Sequence, residues 1–358
     1  MAALNDEQTM LRDMARDWSN EQSPVAAFRR MRDAAPAEGF DAAAWAEMAQ
    51  MGWAGIIIPE AQGGSEFGWL SLGLVLEELG RNLAATPLAA SAAAAGAIIL
   101  GGSEAQKSEW LPKLASGELV ATLAIDEGPH HRPDTVETRA SDGRLSGVKA
   151  FVPEGDGAGL FVVAASDGLY LVAGDAPGVT PAQRRMVDSR SHADVTFADA
   201  QAEKLDDGGD GLLDKVLDRA RAATAAEMLG MAVQAFETTN DYLKTRVQFG
   251  QPLSSFQALQ HRMAIMFTEI ELMRSSVEGA LEAIDAGRSD IDQAASLAKA
   301  TACDTLNLVS REMIQLHGGI GMTDEHDAGF YLKRARVLEN QWGNASFHRE
   351  RFARLNGY

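Results

Sequence analysis

Three textures of hydrophobic patterning follow one another along the chain. Up to about residue 119, apolar positions recur at helical spacing. Asn5 or Asp6 is placed to cap a helix whose apolar face carries Met10, Leu11, Met14 and Trp18, and Leu72, Leu74, Val75 and Leu79 repeat the spacing over 70–79. From about 120 to 205, short apolar runs at 160–164 and 169–172 alternate with Asp-Gly and Pro-Gly turns, which predicts antiparallel strands. Beyond Gly208-Gly209 the helical period returns and persists to Leu355, and the stretches 217–244 and 256–286 exceed an ordinary globular helix. The pattern predicts a mainly α chain with a small β domain: a helical domain over 1–119, a β domain over 120–205 and a helical bundle over 206–358.

Composition narrows the classes of function. The 358 residues, 46% of them hydrophobic, are enough for two or three domains with a large core and argue against disorder. A net charge of −19 argues against nucleic acid and against an anionic membrane surface, while leaving room for a local basic groove. Cys303 is the only cysteine, so neither an internal disulfide nor a cysteine-rich metal site is expected. The nearest approach to a spanning segment, 84–100, is alanine-rich and holds Pro87 and Gly96, and no charged leader precedes an apolar stretch. A cytoplasmic address with no membrane partner is the expectation.

Two segments carry candidate chemistry. Arg246-Val-Gln-Phe-Gly250 joins a cation to a phenyl ring, and an arginine fork suits a diphosphate because its donors are planar and bidentate. Gln315-Leu-His-Gly-Gly-Ile-Gly321 offers a Gly-Gly turn whose backbone N–H groups a phosphate can approach without meeting a side chain. Taken separately, an arginine on a helix is more often a solvated face, and a Gly-Gly pair more often an ordinary turn. Together, and with Tyr242-Leu-Lys-Thr before Arg246 and Phe256-Gln257 after it, they resemble the FAD-binding segments of the acyl-CoA dehydrogenase family. The resemblance spans most of the chain. Gly52-Trp-Ala-Gly55, Pro59-Glu60, Gly63-Gly64 and Glu77-Glu78-Leu-Gly-Arg81 look like the family's early signature, and Gly102-Ser-Glu-Ala-Gln106-Lys107 with Leu111-Pro112 and Gly117-Glu118 like the close of its helical domain.

The resemblance implies an N-terminal helical domain, a middle β barrel or sandwich and a C-terminal four-helix bundle. It also implies α,β-dehydrogenation of an acyl-CoA thioester with FAD, in lipid metabolism, within a tetramer, with an electron-transfer flavoprotein or similar acceptor. A carboxylate base takes the Cα proton, and a dry pocket raises its pKa toward the task. The family places this base before a glycine near the C-terminus or beside an arginine on a long helix, positions matched here by Trp342 and by Ala220 next to Arg221. Neither is a carboxylate, so no catalytic residue is assigned. The family's Thr-Glu-Pro-x-x-Gly-Ser-Asp loop is replaced by Ile125-Asp-Glu-Gly-Pro-His-His-Arg132. Its Lys-x-Trp-Ile-Thr-Asn strand is replaced by Lys149-Ala-Phe151-Val-Pro153-Glu154, where proline supplies no donor and Glu154 brings unfavourable charge.

What the resemblance retains is the half that acts across a subunit interface in such tetramers: Arg246, Phe249, Phe256, Gln257, Gln315, His317, Gly318 and Gly319 toward the adenine and diphosphate end of FAD, and Arg221 toward the thioester or CoA end. This implies a partner-completing subunit of an α2β2 heterotetramer whose other subunit carries the catalytic glutamate. The alternatives are a non-catalytic scaffold or CoA-ligand-binding paralogue, and a homotetrameric flavoprotein with Glu227 as a displaced base. A bundle-internal ion pair is the plainer reading of Glu227, and a solvated or salt-bridged role that of Glu339. His130-His131 reads as a surface loop rather than a metal site, and Arg349-Glu350-Arg351 as a charged helical face.

Overall fold

The structure, a computed structural model, describes residues 4–36, 39–205 and 209–358. The expected domain boundary at 205/206 and Gly208 fall at or within a stretch outside the described residues. Six helices come first: α1 (Asp6–Gln22), α2 (Val25–Ala34), α3 (Ala42–Gln50), α4 (Gly68–Arg81), α5 (Leu88–Gly101) and α6 (Glu104–Ala115). Strands follow as β1 (Ala121–Ala124), β2 (Arg139–Ser141), β3 (Arg144–Pro153), β4 (Leu160–Ala165), β5 (Gly168–Ala173), β6 (Val179–Gln183), β7 (His192–Gln201) and β8 (Glu203–Lys204). Then come α7 (Leu212–Thr245), the short hairpin β9 (Val247–Gln248) and β10 (Gln251–Pro252), α8 (Gln257–Asp285), α9 (Ile291–His317), α10 (Ala328–Asn340) and α11 (Ala345–Leu355). No helix among the described residues is long and apolar enough to cross a membrane.

Local chemistry accounts for the boundaries. Asn5 and Gln8 form a reciprocal capping box at the start of α1, Ser103 and Gln106 do the same for α6, and Asp41 and Asn344 cap α3 and α11. The face of α1 differs from the expectation. Leu11, Ala15 and Trp18 are buried, but Met10 is 71% exposed and Met14 is also exposed. The real stripe follows the 3.6-residue period from Leu11, whereas the expected one was too wide. In contrast, Leu72, Leu74, Val75 and Leu79 all lie in the core.

The chain divides into two compact units. One comprises Arg29–Leu72 and Ala85–Ala220 and holds two four-stranded sheets, ordered β1-β4-β5-β8 and β2-β3-β7-β6. They share one apolar core in which Phe161 of β4 meets Phe197 of β7 edge-on at 5.8 Å, with Val163, Val172, Leu145 and Val195 around them. The pairing of β3 with β7 shifts register between Lys149 and Val152, so β3 is bulged at Phe151, whose φ is +55°.

The other unit gathers the segment up to Phe28, Gly73–Ala84 and Arg221–Tyr358, and is helical. Partly buried ion pairs tie its helices: Glu227 to Arg334 at 2.8 Å, Glu77 to Arg274 at 2.7 Å, and buried Glu78 to exposed Arg16 at 2.6 Å. Helices α4 and α7 approach backbone to backbone at two glycines. A Cβ on Gly230 would stand 1.8 Å from the Glu77 carbonyl oxygen, and one on Gly80 would stand 2.3 Å from that of Glu227. Gly230→Ala should therefore force the helices apart and destabilise the fold by about 1–3 kcal/mol, as overpacking does. The check is a urea unfolding midpoint, which falls if the contact is as close as described and is unchanged if the crossing can relax.

Candidate functional site

The two glycine- and arginine-bearing segments meet in the helical unit. The Tyr242 ring, near the end of α7, stacks on His317 at the end of α9 with centroids 4.4 Å apart, and its hydroxyl donates to the His317 carbonyl at 3.2 Å. His317 Nδ1 lies 2.8 Å from the Met313 carbonyl, which makes it the donor and leaves Nε2 an acceptor. That Nε2 is buried with no partner among the described residues. Burial lowers the pKa of His317, against the Met313 hydrogen bond, so the ring is neutral at pH 7. His326 packs on its other side at 4.4 Å.

After His317 the chain turns at Gly318, with φ +64° and ψ −139°, a conformation almost confined to glycine. Nothing lies within 4 Å of where a Cβ on Gly318 or Gly319 would stand, so both face open space. Four residues beyond Tyr242, Arg246 is exposed and pairs with no carboxylate among the described residues. Phe249 and Gly250 form the two-residue turn between β9 and β10, both at positive φ, and Phe249 is 89% exposed. Its ring makes an edge contact with half-buried Phe256 at 6.1 Å, while Gln257 and Gln315 are exposed. An exposed cation, an exposed ring, an open glycine turn and a buried acceptor fit the diphosphate and adenine end of a dinucleotide.

The expected base positions look different. Trp342 is 5% exposed and adopts φ +59°. Its carbonyl accepts from Arg221 Nε at 3.2 Å and His348 Nε2 at 3.0 Å. Lys299, with no exposed surface, donates to the carbonyls of Gly343 at 3.0 Å and Leu338 at 2.9 Å, and its Nζ lies 3.4 Å from Cys303 Sγ. Burial lowers the pKa of Lys299. Burial, then the charges of Arg221 and Lys299, drive that of His348 down, so His348 is neutral. The Arg221 guanidinium lies over the Phe347 ring at 5.5 Å, so this residue is packed within the bundle. Ala220 is buried as well.

Glu227 gives one oxygen to both Arg334 Nε, at 2.9 Å, and Nη2, at 2.8 Å, the ion pair expected of it. Glu339 pairs with Arg336 at 3.1 Å. Arg351 corrects the expected charged face: it is 8% exposed and donates to the Asp292 carbonyl and Ser296 Oγ, whereas Arg349 does pair outward, with Asp304. The sequence offered no cue, because a short helix docked on a neighbour buries whichever arginine faces inward.

In the β-bearing unit the residues replacing the flavin loop are engaged with one another. Glu127 accepts from Lys149 Nζ at 2.7 Å, the Thr138 hydroxyl at 2.6 Å and the backbone N–H groups of Glu137 and Thr138. Burial opposes ionisation, yet these bonds hold its carboxyl down at about 2. Lys149 is fully buried. His131, expected in a surface loop, instead pairs with Asp126 at 2.8 Å, and among the described residues no His, Cys, Asp and Glu cluster fits a metal. Phe151 lies beneath the Arg184 guanidinium, 4.3 Å away, and the Pro153 carbonyl accepts from Thr122 at 2.6 Å. Glu154 is buried beside Arg190 at 3.4 Å.

Comparison with known proteins matches two family models: "Acyl-CoA dehydrogenase, N-terminal domain" over residues 5–118 and "Acyl-CoA dehydrogenase, C-terminal domain" over 207–355. A probable acyl-CoA dehydrogenase of Bacillus subtilis, YngJ, is 31% identical over 98% of both chains. The chain belongs to the acyl-CoA dehydrogenase family. Among solved structures, a variant of the Tcur3481–Tcur3483 steroid ACAD is similar at 33% identity and a TM-score of 0.92, covering 98% of each chain. The ChsE4–ChsE5 complex of Mycobacterium tuberculosis is similar at 25% identity and a TM-score of 0.91, covering all of each chain. The acyl-CoA dehydrogenase family comprises FAD-binding oxidoreductases of lipid metabolism, and the helical and β elements described above are its fold.

The Glu127–Lys149 pair yields a prediction with a defined sign. The folded pKa of Glu127 lies below its unfolded value of 4.5, so its contribution is complete above about 4.5 and is lost as pH falls through about 2. Glu127→Gln, which leaves Lys149 buried without its counter-charge, should cost about 3 kcal/mol at neutral pH. In chemical denaturation the gap from wild type should close as pH falls from about 4.5 to about 2.

Proposed function

We propose that this chain is the partner-completing subunit of an FAD-dependent acyl-CoA dehydrogenase, an α2β2 heterotetramer in which the other subunit supplies the catalytic glutamate. One contrast carries the reading: Arg246, Phe249 and the Gly318-Gly319 turn are open to a ligand, whereas the base position is a buried tryptophan. When bound, FAD supplies the hydride acceptor for the substrate's Cβ. Toward it Arg246 offers a planar fork to the diphosphate, Phe249 and Phe256 offer rings near the adenine, Gln257 and Gln315 offer amides, and the backbone at Gly318 and Gly319 admits a phosphate closely. His317 holds that turn through its own carbonyl and Tyr242. Arg221 holds the Trp342 turn beneath the end where the thioester lies.

Three observations support assigning the flavin ring to the partner. Pro153 has no donor to give, Phe151 is covered by Arg184, and Glu154 is committed to Arg190. The two similar complexes, Tcur3481–Tcur3483 and ChsE4–ChsE5, pair two differently named components, which favours a heteromer. The exposed Ile265, Phe267 and Leu272 on α8 favour burial in an assembly, since such side chains are costly in water. The homotetrameric alternative loses its base, because Glu227 is held by Arg334. The three-domain division at 119 and 205 and an electron-transfer flavoprotein as acceptor belong to the same reading.

Expressed alone, the chain should be colourless and without measurable acyl-CoA dehydrogenase activity, and co-purified with its partner it should be yellow. Within that complex Arg246→Ala should lower flavin affinity about ten- to a hundredfold, the loss expected for one charge-assisted contact. Flavin per tetramer, read by absorbance after dialysis, is the measurement, and full flavin content in the variant would overturn the Arg246 assignment. Bleaching of a yellow homomer by an acyl-CoA under anaerobic conditions would overturn the heteromeric one.

A further inference from the structure

The β-bearing unit contains a second feature suited to an anion, separate from the residues assigned to FAD. A cavity of about 320 Å³ opens between the end of α2 and the segment joining β6 to β7. Its wall carries Arg32, Arg184, Arg185 and Arg190, with no carboxylate lining it among the described residues. In a chain with 51 acidic and 32 basic residues, four arginines facing one cavity concentrate positive charge there, although Arg32, Arg184 and Arg190 each pair with one carboxylate.

We propose that this cavity binds a phosphoryl anion, a phosphate monoester or a diphosphate. The available donors fit such a ligand. Arg185 is exposed and pairs with no carboxylate among the described residues. Arg184 commits Nε and Nη2 to Asp194, leaving three of its five N–H donors. Arg190 is fixed by the Thr86 carbonyl at 3.0 Å and Glu154 at 3.4 Å, which stiffens that wall, and Arg32 leans on Asp33 at 2.8 Å. Ser191 is 6% exposed, lines the cavity, and its hydroxyl has no hydrogen-bond partner among the described residues. A buried hydroxyl left unpaired is costly unless a ligand completes it. Gly39, at φ +73°, closes against it so tightly that a Cβ there would lie 2.3 Å from Ser191 Cβ. Several guanidinium forks and one hydroxyl exceed what the two oxygens of a carboxylate can serve, whereas a phosphoryl group presents three or more.

The inference does not rest on the flavin reading, because its test uses the full chain without flavin or thioester turnover. Isothermal titration with inorganic pyrophosphate, 3′,5′-ADP, coenzyme A and dephospho-coenzyme A compares wild type, Arg185→Gln and Arg185→Gln/Ser191→Ala. Saturable one-to-one binding of pyrophosphate or 3′,5′-ADP is expected, weakened about tenfold or more in Arg185→Gln with the thermal midpoint unchanged. Arg185 is exposed, so that single variant decides the matter if the double variant folds poorly. Coenzyme A binding more tightly than dephospho-coenzyme A, with the advantage lost in Arg185→Gln, assigns the ligand to the 3′-phosphate of the thioester carrier. Equal binding of the two, with 3′,5′-ADP or pyrophosphate still sensitive to Arg185→Gln, assigns it to a free phosphorylated metabolite. No saturable binding of any probe, or affinities indifferent to Arg185→Gln, overturns the proposal.

Discussion

An ammonium group without exposed surface must find oxygen atoms inside the protein, because leaving it unpaired would consume much of a domain's net stability. Lys299 meets that demand with the carbonyl of Leu338, which the end of α10 leaves without a helical partner, and that of Gly343 in the turn beyond. The turn so held carries Trp342, whose own carbonyl is taken by Arg221 of α7 and His348 of α11. Four helices, α7, α9, α10 and α11, are thereby anchored to one reversal of the chain. Gly343 permits it: at φ +104° an added Cβ would strike the Phe347 ring at 2.5 Å and His348 at 2.9 Å.

The β-bearing unit follows the same rule with a different result. Glu127 and Lys149 neutralise each other beneath the loop that replaces a flavin-binding segment, and Arg190 and Glu154 do so beside the bulged strand. Polar groups that could have faced a ring are spent on neighbours. Open donors lie at the ends of α7 and α9 and in the arginine-lined cavity, while Ala220 and Trp342 are buried.

Much of this was legible in the sequence. The change of period near 120, and its return beyond the strands, follows from the different spacing of side chains on helices and strands. The Asn5 cap, the apolar run of α4 and the Glu227 pair were readable because they depend on neighbours a few residues away or on the rarity of unpaired buried acids. Met10, Met14 and Arg351 were not, since which side of a short helix faces inward is decided by the element it docks against. Nor could the sequence announce the cavity at Arg185, whose walls are brought together from 31–36, Gly39 and 183–192 by the fold alone. The candidate cofactor residues were found by motif, but their meeting through Tyr242 and His317 is a tertiary fact.

The glycine crossing of α4 and α7 also bears on how the molecule is made. Gly80 and Gly230 lie 150 positions apart. At a translation rate of roughly 5–20 residues per second, α4 leaves the ribosome on the order of ten seconds before its partner. Throughout that interval the surface of α4 at Gly80 has no α7 against it and is open to any other apolar segment. The crossing of α4 with α7 can therefore form only after every strand from β1 to β8 has been made, and holdase chaperones would be expected to act on the stretch around α4 while the strands are still being synthesised.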